Sequence, residues 1–159
     1  MRAEVENLIN AVLDEADSID DLVDAIREQR EAMRAGDTES INSLMDEIRD
    51  IFFDSQTREN LRNDSAKKLA AKFSCEPKAS SLASKMDNDE RAKFDGAANR
   101  LTQSIFVLKS EMIILEGLID QNEKYTAMLL SEYRRISAGS PGFPLGGDVA
   151  QAGSADFTG

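Results

Sequence analysis

The fold turns on the stretch "REAMRAGDTESINSL" (Arg30–Leu44). Up to Ala35 the chain keeps a helical period, and Met33 closes a series Val5, Val12, Ile19, Ile26 and Met33 spaced seven residues apart. Gly36 then stands where a helix C-cap needs the left-handed conformation, which only glycine adopts at no steric cost. Asp37 or Thr38 can cap a second helix, and a new apolar period opens at Ile41 and Leu44. A stop and a restart with almost no loop between them make two helices antiparallel neighbours.

On the N-terminal side of this turn, the first helix is predicted over Ala3–Ala35. Leu8, Ile9, Ala16, Leu22 and Val23 adjoin its seven-residue series and widen the apolar stripe. Glu6, Asp14, Asp17, Asp21, Asp24 and Glu28 occupy the opposite face. Arg27, Arg30 and Arg34 come late, where the helix dipole favours positive charge. The second helix starts near Glu39 with the apolar face Ile41, Leu44, Met45, Ile48, Ile51 and Phe52, beside which lies Phe53. "DSQTRENLRNDSAKK" (Asp54–Lys68) thins that pattern to Leu61 and Ala66, before Leu69, Ala70 and Phe73 restore it. One helix to about Ser74 with a weakly packed polar middle is expected, or else a break near Asn63–Asp64.

"CEPKASSLASKMDND" (Cys75–Asp89) is a corner. Pro77 stops the helix, Ser80–Lys85 can form one short turn, and Asp87, Asn88 or Asp89 can cap the next helix. Beyond the corner runs a seam in steps of four and three: Phe94, Ala98, Leu101, Ile105, Leu108, Met112, Leu115, Ile119, Asn122, Thr126, Leu129, Tyr133 and Ile136. It predicts a third long helix, Asn88–Ile136, roughly 70 Å long, with Gly117 as a point where it can bend. The tail from Ser137 to Gly159 holds six of the nine glycines and two of the three prolines, and no helical period survives in it. A flexible Gly-rich tail is expected there, with Phe143, Leu145 and Phe157 as isolated contact points. The fold class is therefore all-α: an antiparallel, coiled-coil-like bundle of three long helices plus a short one, with a helical domain over 1–136 and a tail over 137–159.

Composition restricts the chemistry. Thirty acidic against 19 basic side chains leave a net charge of −11, so nucleic acid is a poor partner, since binding it relies on clustered Lys and Arg. No stretch approaches 18 apolar residues, so no stable membrane insertion is expected. The acidic amphipathic N-terminus lacks the apolar core of a signal peptide. Cys75 is the only cysteine, which excludes an intrachain disulfide and fits a reducing cytoplasm. Histidine is absent, which removes the commonest general base and the usual nucleophile triads, together with most transition-metal ligand sets. No phosphate loop or dinucleotide loop is present. No catalytic residue, metal site or cofactor is assigned, and an enzyme is the least supported class.

The feature that bears on function is a second apolar stripe beside the seam. Ile114, Leu118, Tyr125 and Met128 share helical spacing, with Gln121 between them and Ile113 and Leu130 widening the face. It sits where Asn122 and Thr126 turn the seam polar. Either a second helix of the bundle covers this stripe, or it takes up an amphipathic helix from a partner. Methionine and tyrosine suit an adaptable binding surface.

Two segments resemble the FlgN-type flagellar export chaperones. "LVDAIREQREAMRAGDTESINSLMDEIRDIF" (Leu22–Phe52) is similar to their N-terminal hairpin, and "LIDQNEKYTAMLLSEYRRI" (Leu118–Ile136) to the Asn-containing end of their last long helix. The glycine-rich tail is similar as well. Where that family often has two asparagines three apart, this chain has Asn122 and then Tyr125. The resemblance implies a cytoplasmic, non-enzymatic chaperone whose clients are hook–filament junction proteins, and which docks at the flagellar export gate or its ATPase complex. It also implies a client contact in the C-terminal part, on Ile114, Leu118, Gln121, Tyr125 and Met128, with Asn122 and Tyr133 at the edge. The rival reading is a structural coiled-coil or adaptor that self-associates through its helical seams. A homodimer is open under both readings.

Overall fold

A computed structural model describes residues 1–118, 131, 132 and 134–136. They include four helices, α1 (Ala3–Ala35), α2 (Thr38–Phe73), α3 (Ala79–Ser84) and α4 (Asn88–Glu116), and residues 131, 132 and 134–136 are helical as well. No strand occurs among the described residues. The expected tail, 137–159, lies outside them.

The turn between α1 and α2 forms as its residues require. Gly36 takes a left-handed φ of 67°. Its N–H donates to Met33 O at 3.1 Å and that of Asp37 to Ala32 O at 3.0 Å, closing the open carbonyls of α1. Asp37 caps α2, accepting from Ser40 N at 3.1 Å and from Ser40 Oγ at 2.6 Å. At the far end α2 stops at Phe73, four residues before Pro77, because Ser74 turns left-handed at φ 54°. The Cys75 N–H then donates to Ala70 O at 3.0 Å. A capping box opens α4: Glu90 N donates to Asp87 Oδ1 at 2.8 Å and Asp87 N to Glu90 Oε1 at 3.2 Å.

α1 packs against both α2 and α4. α2 runs antiparallel to it: Lys72 Nζ meets Glu4 Oε1 at 2.7 Å near one end, and Gln29 Nε2 donates to Ile41 O at 3.1 Å near the other. α4 runs parallel to it. Glu90 meets Arg2 at the start, Arg100 lies against Asp17 and Asp20 midway, and Glu111 meets Arg27 and Arg30 at the end. The seven-residue series from Val5 to Ile26 is fully buried between them, with Met33 packed at its margin. From α4 the core receives Phe94, Leu101, Ile105, Leu108, Met112 and Leu115, the predicted seam.

Two expectations are corrected. The polar middle of α2 is neither broken nor loosely packed. The helix is continuous, and Arg62 lies buried in it, 1% exposed, with Nε on Glu15 Oε2 of α1 and Nη2 3.4 Å from Glu15 Oε1. Leu61, one of the two apolar residues in that stretch, points to solvent instead. The third helix does not run unbroken to Ile136. α4 ends at Glu116 with Gly117 as its cap, and Leu118 N donates to Leu115 O at 2.9 Å, a tightened last turn. A straight continuation would carry Ile136 roughly 30 Å past Glu116. Instead Ile136 is 4% exposed in the core, and Arg135 Nη1 bonds Glu59 Oε2 of α2 at 2.7 Å, within one helical turn of Arg62. Gly117, a poor helix former, stands where α4 stops.

The Glu15–Arg62 pair and the Arg2–Glu90 contact tie the fold at its middle and at one end. Burial pushes the Glu15 carboxyl above its usual range, and Arg62 opposes that shift. Removing one partner of a buried pair leaves the other charged in an apolar setting. Arg62→Ala should therefore cost about 3–5 kcal/mol in urea unfolding, whereas Glu15→Leu with Arg62→Met should stay within about 1 kcal/mol of the native chain or exceed it. At the start of α4, Glu90 accepts from Arg2 N and Nε, both at 3.1 Å, and from Arg2 Nη2 at 2.6 Å. The Arg2 guanidinium in turn lies 4.5 Å from the centre of the Phe73 ring. The Arg2 side-chain bonds hold the Glu90 carboxyl down at about 2. A carboxyl depressed on folding stabilises above its unfolded value, about 4.3, and that contribution fades as pH falls toward the folded one. The stability gap between the native chain and Glu90→Gln should shrink from pH 6 to about pH 2. A gap independent of pH would contradict the clamp.

Candidate partner-binding face

α4 carries two apolar surfaces, because its apolar residues outnumber what one seam can bury. The inward seam is sealed against α1 and the rest of the core. On the solvent side Phe106 is 65% exposed and Ile113 61%; at the edge nearer α1, Ile114 is 45% exposed and Leu118 41%. Phe106 and Ile113 are seven residues apart and so stack on one line of the helix. Half-buried Val107 and Ile114, also seven apart, form a second line that Leu118 prolongs. Contiguous exposed apolar side chains of this size mark an interaction surface more often than a bare solvent face.

The face is held by charge pairs at its edge. Glu111, buried, accepts from Arg27 Nε at 3.0 Å and from Arg30 Nη1 at 2.5 Å, fixing the last turns of α4 against the last turns of α1. Ser110, on the solvent side between Phe106 and Ile113, donates its hydroxyl to Phe106 O at 3.1 Å. The ridge thus stands on a helix anchored along its opposite side.

Of the residues the sequence singles out, Ile114 and Leu118 lie on this exposed edge, and Ile113 widens it. Gln121, Asn122, Tyr125, Met128 and Tyr133 lie outside the described residues. Phe106 is the member that sequence reading passed over. Its signal was available: a phenylalanine seven residues before Ile113, on the side away from the seam. Elsewhere, Arg49, Phe52, Phe53, Gln56 and Glu132 line an open cleft of about 300 Å³ beside α2. No group of three metal-ligating side chains occurs among the described residues. Among them, too, no helix is long and apolar enough to cross a membrane.

A family model described as FlgN protein matches residues 1–141. No curated protein and no solved structure matches the chain. The matched span takes in all four helices and the Glu59–Arg135 contact. It covers the hairpin and the end of the helical region on which the sequence resemblance rests. The chain belongs to the FlgN family, a family of flagellar export chaperones.

Proposed function

We propose that this chain shields the terminal helices of hook–filament junction proteins in the cytoplasm before their export. The observation that supports this is the exposure of Ile113 and Ile114 in the last turn of a helix whose opposite side is already filled, and of Leu118 just beyond its cap. These residues lie directly before Gln121, Asn122, Tyr125, Met128 and Tyr133, which we assign to the same contact. A client helix that will later assemble with its neighbours presents an apolar stripe, and an apolar ridge can cover it. Each large side chain buried contributes about 1.5–3 kcal/mol before the costs of association, so a few such contacts give binding that is firm yet reversible. Reversibility is what a carrier needs, because the client must be handed on.

Residues 1–136 act in this reading as one helical bundle and 137–159 as a flexible tail. The acidic outer face of α1, with Asp14, Asp21, Asp24 and Glu28 exposed, keeps the loaded complex in solution and leaves it free to dock at the export gate or its ATPase complex. Asn122 can hydrogen-bond a polar group where the apolar contact ends.

Titration calorimetry of the full chain with C-terminal segments of the junction proteins tests the proposal. Submicromolar binding at one client per chain is expected, weakened at least about tenfold by Leu118→Asp. An exposed residue such as Leu118 should tolerate this change within about 0.5 kcal/mol of stability. Absence of binding to every segment, or unchanged binding in the variant, would contradict the assignment.

A further inference from the structure

We propose that the cleft beside α2 is a docking site for the chain's own C-terminal tail, with Phe143 and Leu145 seated in it. Phe52, buried, forms the floor of the cleft, and Phe53, 73% exposed, forms a wall. Arg49, Gln56 and Glu132 complete the rim around about 300 Å³. The proposed client face does not use this space, because α1 packs between α2 and α4.

The tail departs from the rim of the cleft. Glu132 borders it at the level of Phe53, and Arg135 Nη1 bonds Glu59 Oε2 at 2.7 Å, six residues further along α2. The last described residues therefore run in the direction of α2 and away from the cleft. Ile136, buried in the core, fixes where the chain leaves. To enter the cleft the tail must reverse, and the sequence supplies the means. In "SAGSPGFPLGGD" (Ser137–Asp148) the pair Pro141–Gly142 suits the two central positions of a type II turn. Pro144 favours extended backbone at Phe143, and residues two apart in an extended strand share a side, so Phe143 and Leu145 can enter together. The reach is ample. Phe143 stands seven residues beyond Ile136, a span of up to about 25 Å. Phe53 lies only about 9 Å along the helix from Glu59.

Charge and tethering select this occupant. Asp46, Asp50 and Asp54 are exposed on the side of α2 next to Phe53. A second copy would bring a net charge of −11 to that acidic rim. Residues 137–147 carry no charge and meet no repulsion there. Asp148 is the first charged residue of the tail, three positions past Leu145, and Arg49 stands at the end of the cleft remote from Glu59. The order Ile136, Phe143, Leu145, Asp148 thus matches Glu59, Phe53, Phe52, Arg49 read backwards along α2. A basic segment from another protein would also suit the rim, but it must compete with a segment that a short linker holds at an effective concentration in the millimolar range.

The docked stretch covers Phe53 and leaves the ridge on α4 as the apolar face offered to partners. It rests on two side chains, so it opens readily and the tail keeps the flexibility proposed above. The inference does not depend on the client reading.

The chain has no tryptophan, so Phe143→Trp places a single reporter in the full chain. Its emission is expected to be shifted to the blue, independently of protein concentration. Adding Phe53→Asp, a change at an exposed position whose effect on the fold is checked by circular dichroism, should move the emission to the red and lower the docking equilibrium about tenfold. Leu145→Cys with Gln56→Cys, in a Cys75→Ser background, should form a disulfide within one chain under mild oxidation. Red emission from the free chain, or blue emission that Phe53→Asp leaves in place, would overturn the proposal. A blue shift that grows with concentration, or disulfides formed only between chains, would give the cleft to a second copy and overturn it as well. So would a blue shift that appears only when a client segment is added, since the tail would then belong to the client. Calorimetry with the client segments reads separately: Phe53→Asp should bind them as the native chain does, so failure of either proposal is visible without the other.

Discussion

One wide apolar stripe on α1, buried against two neighbours at once, organises the whole chain. A narrow stripe on a single line of positions could serve only one partner. Adjoining pairs such as Leu8 with Ile9 and Leu22 with Val23 broaden it, so α2 and α4 can each take a flank. Register is then set by charge. Arg2 to Glu90, Arg100 to Asp17 and Asp20, and Arg27 and Arg30 to Glu111 mark successive levels between α1 and α4. The exposed pairs of Arg100 add little stability individually, but a shifted register would also leave the buried carboxylates of Glu90 and Glu111 unmatched. The buried Glu15–Arg62 pair does the same between α1 and α2 at a higher stake.

Much of this was legible in the sequence because it rests on local rules. Gly36, Asp37 and Asp87 act at the positions their chemistry favours, and α1 has the bounds its period predicts. The inward seam of α4 was readable as far as Leu115 because each position repeats one requirement. What was not legible is tertiary. Arg62 reads as one more polar residue in a polar stretch, and only the approach of Glu15 from another helix makes its burial tolerable. The end of α4 misled for a similar reason: the seam continues in steps of four and three through Gly117, and periodicity alone does not register where a helix stops. Ile136 satisfied the same pattern while packing in a different place, against the core beside α2.

The candidate site was legible in part. The stripe through Ile114 and Leu118 was visible as apolar residues beyond what the seam could use, and both side chains are exposed. Phe106 was missed because the outward line begins earlier on the helix than the point where the seam turns polar. A helix anchored along one side by core packing and Glu111, and apolar along the other, is suited to presenting a surface to another helix. Family membership makes the chain a flagellar export chaperone, and the apolar face of α4 on an acidic scaffold is the surface we propose for that role.

Methyl NMR of the full chain, labelled at isoleucine, would watch that face as the C-terminal segment of a hook–filament junction protein is added. The methyls of Ile113 and Ile114 are expected to shift or broaden while those of the buried Ile19, Ile26 and Ile48 stay in place. Changes confined to the buried methyls of α1 and α2, with Ile113 and Ile114 unmoved, would show that the client binds elsewhere and that the outward face of α4 is not its site.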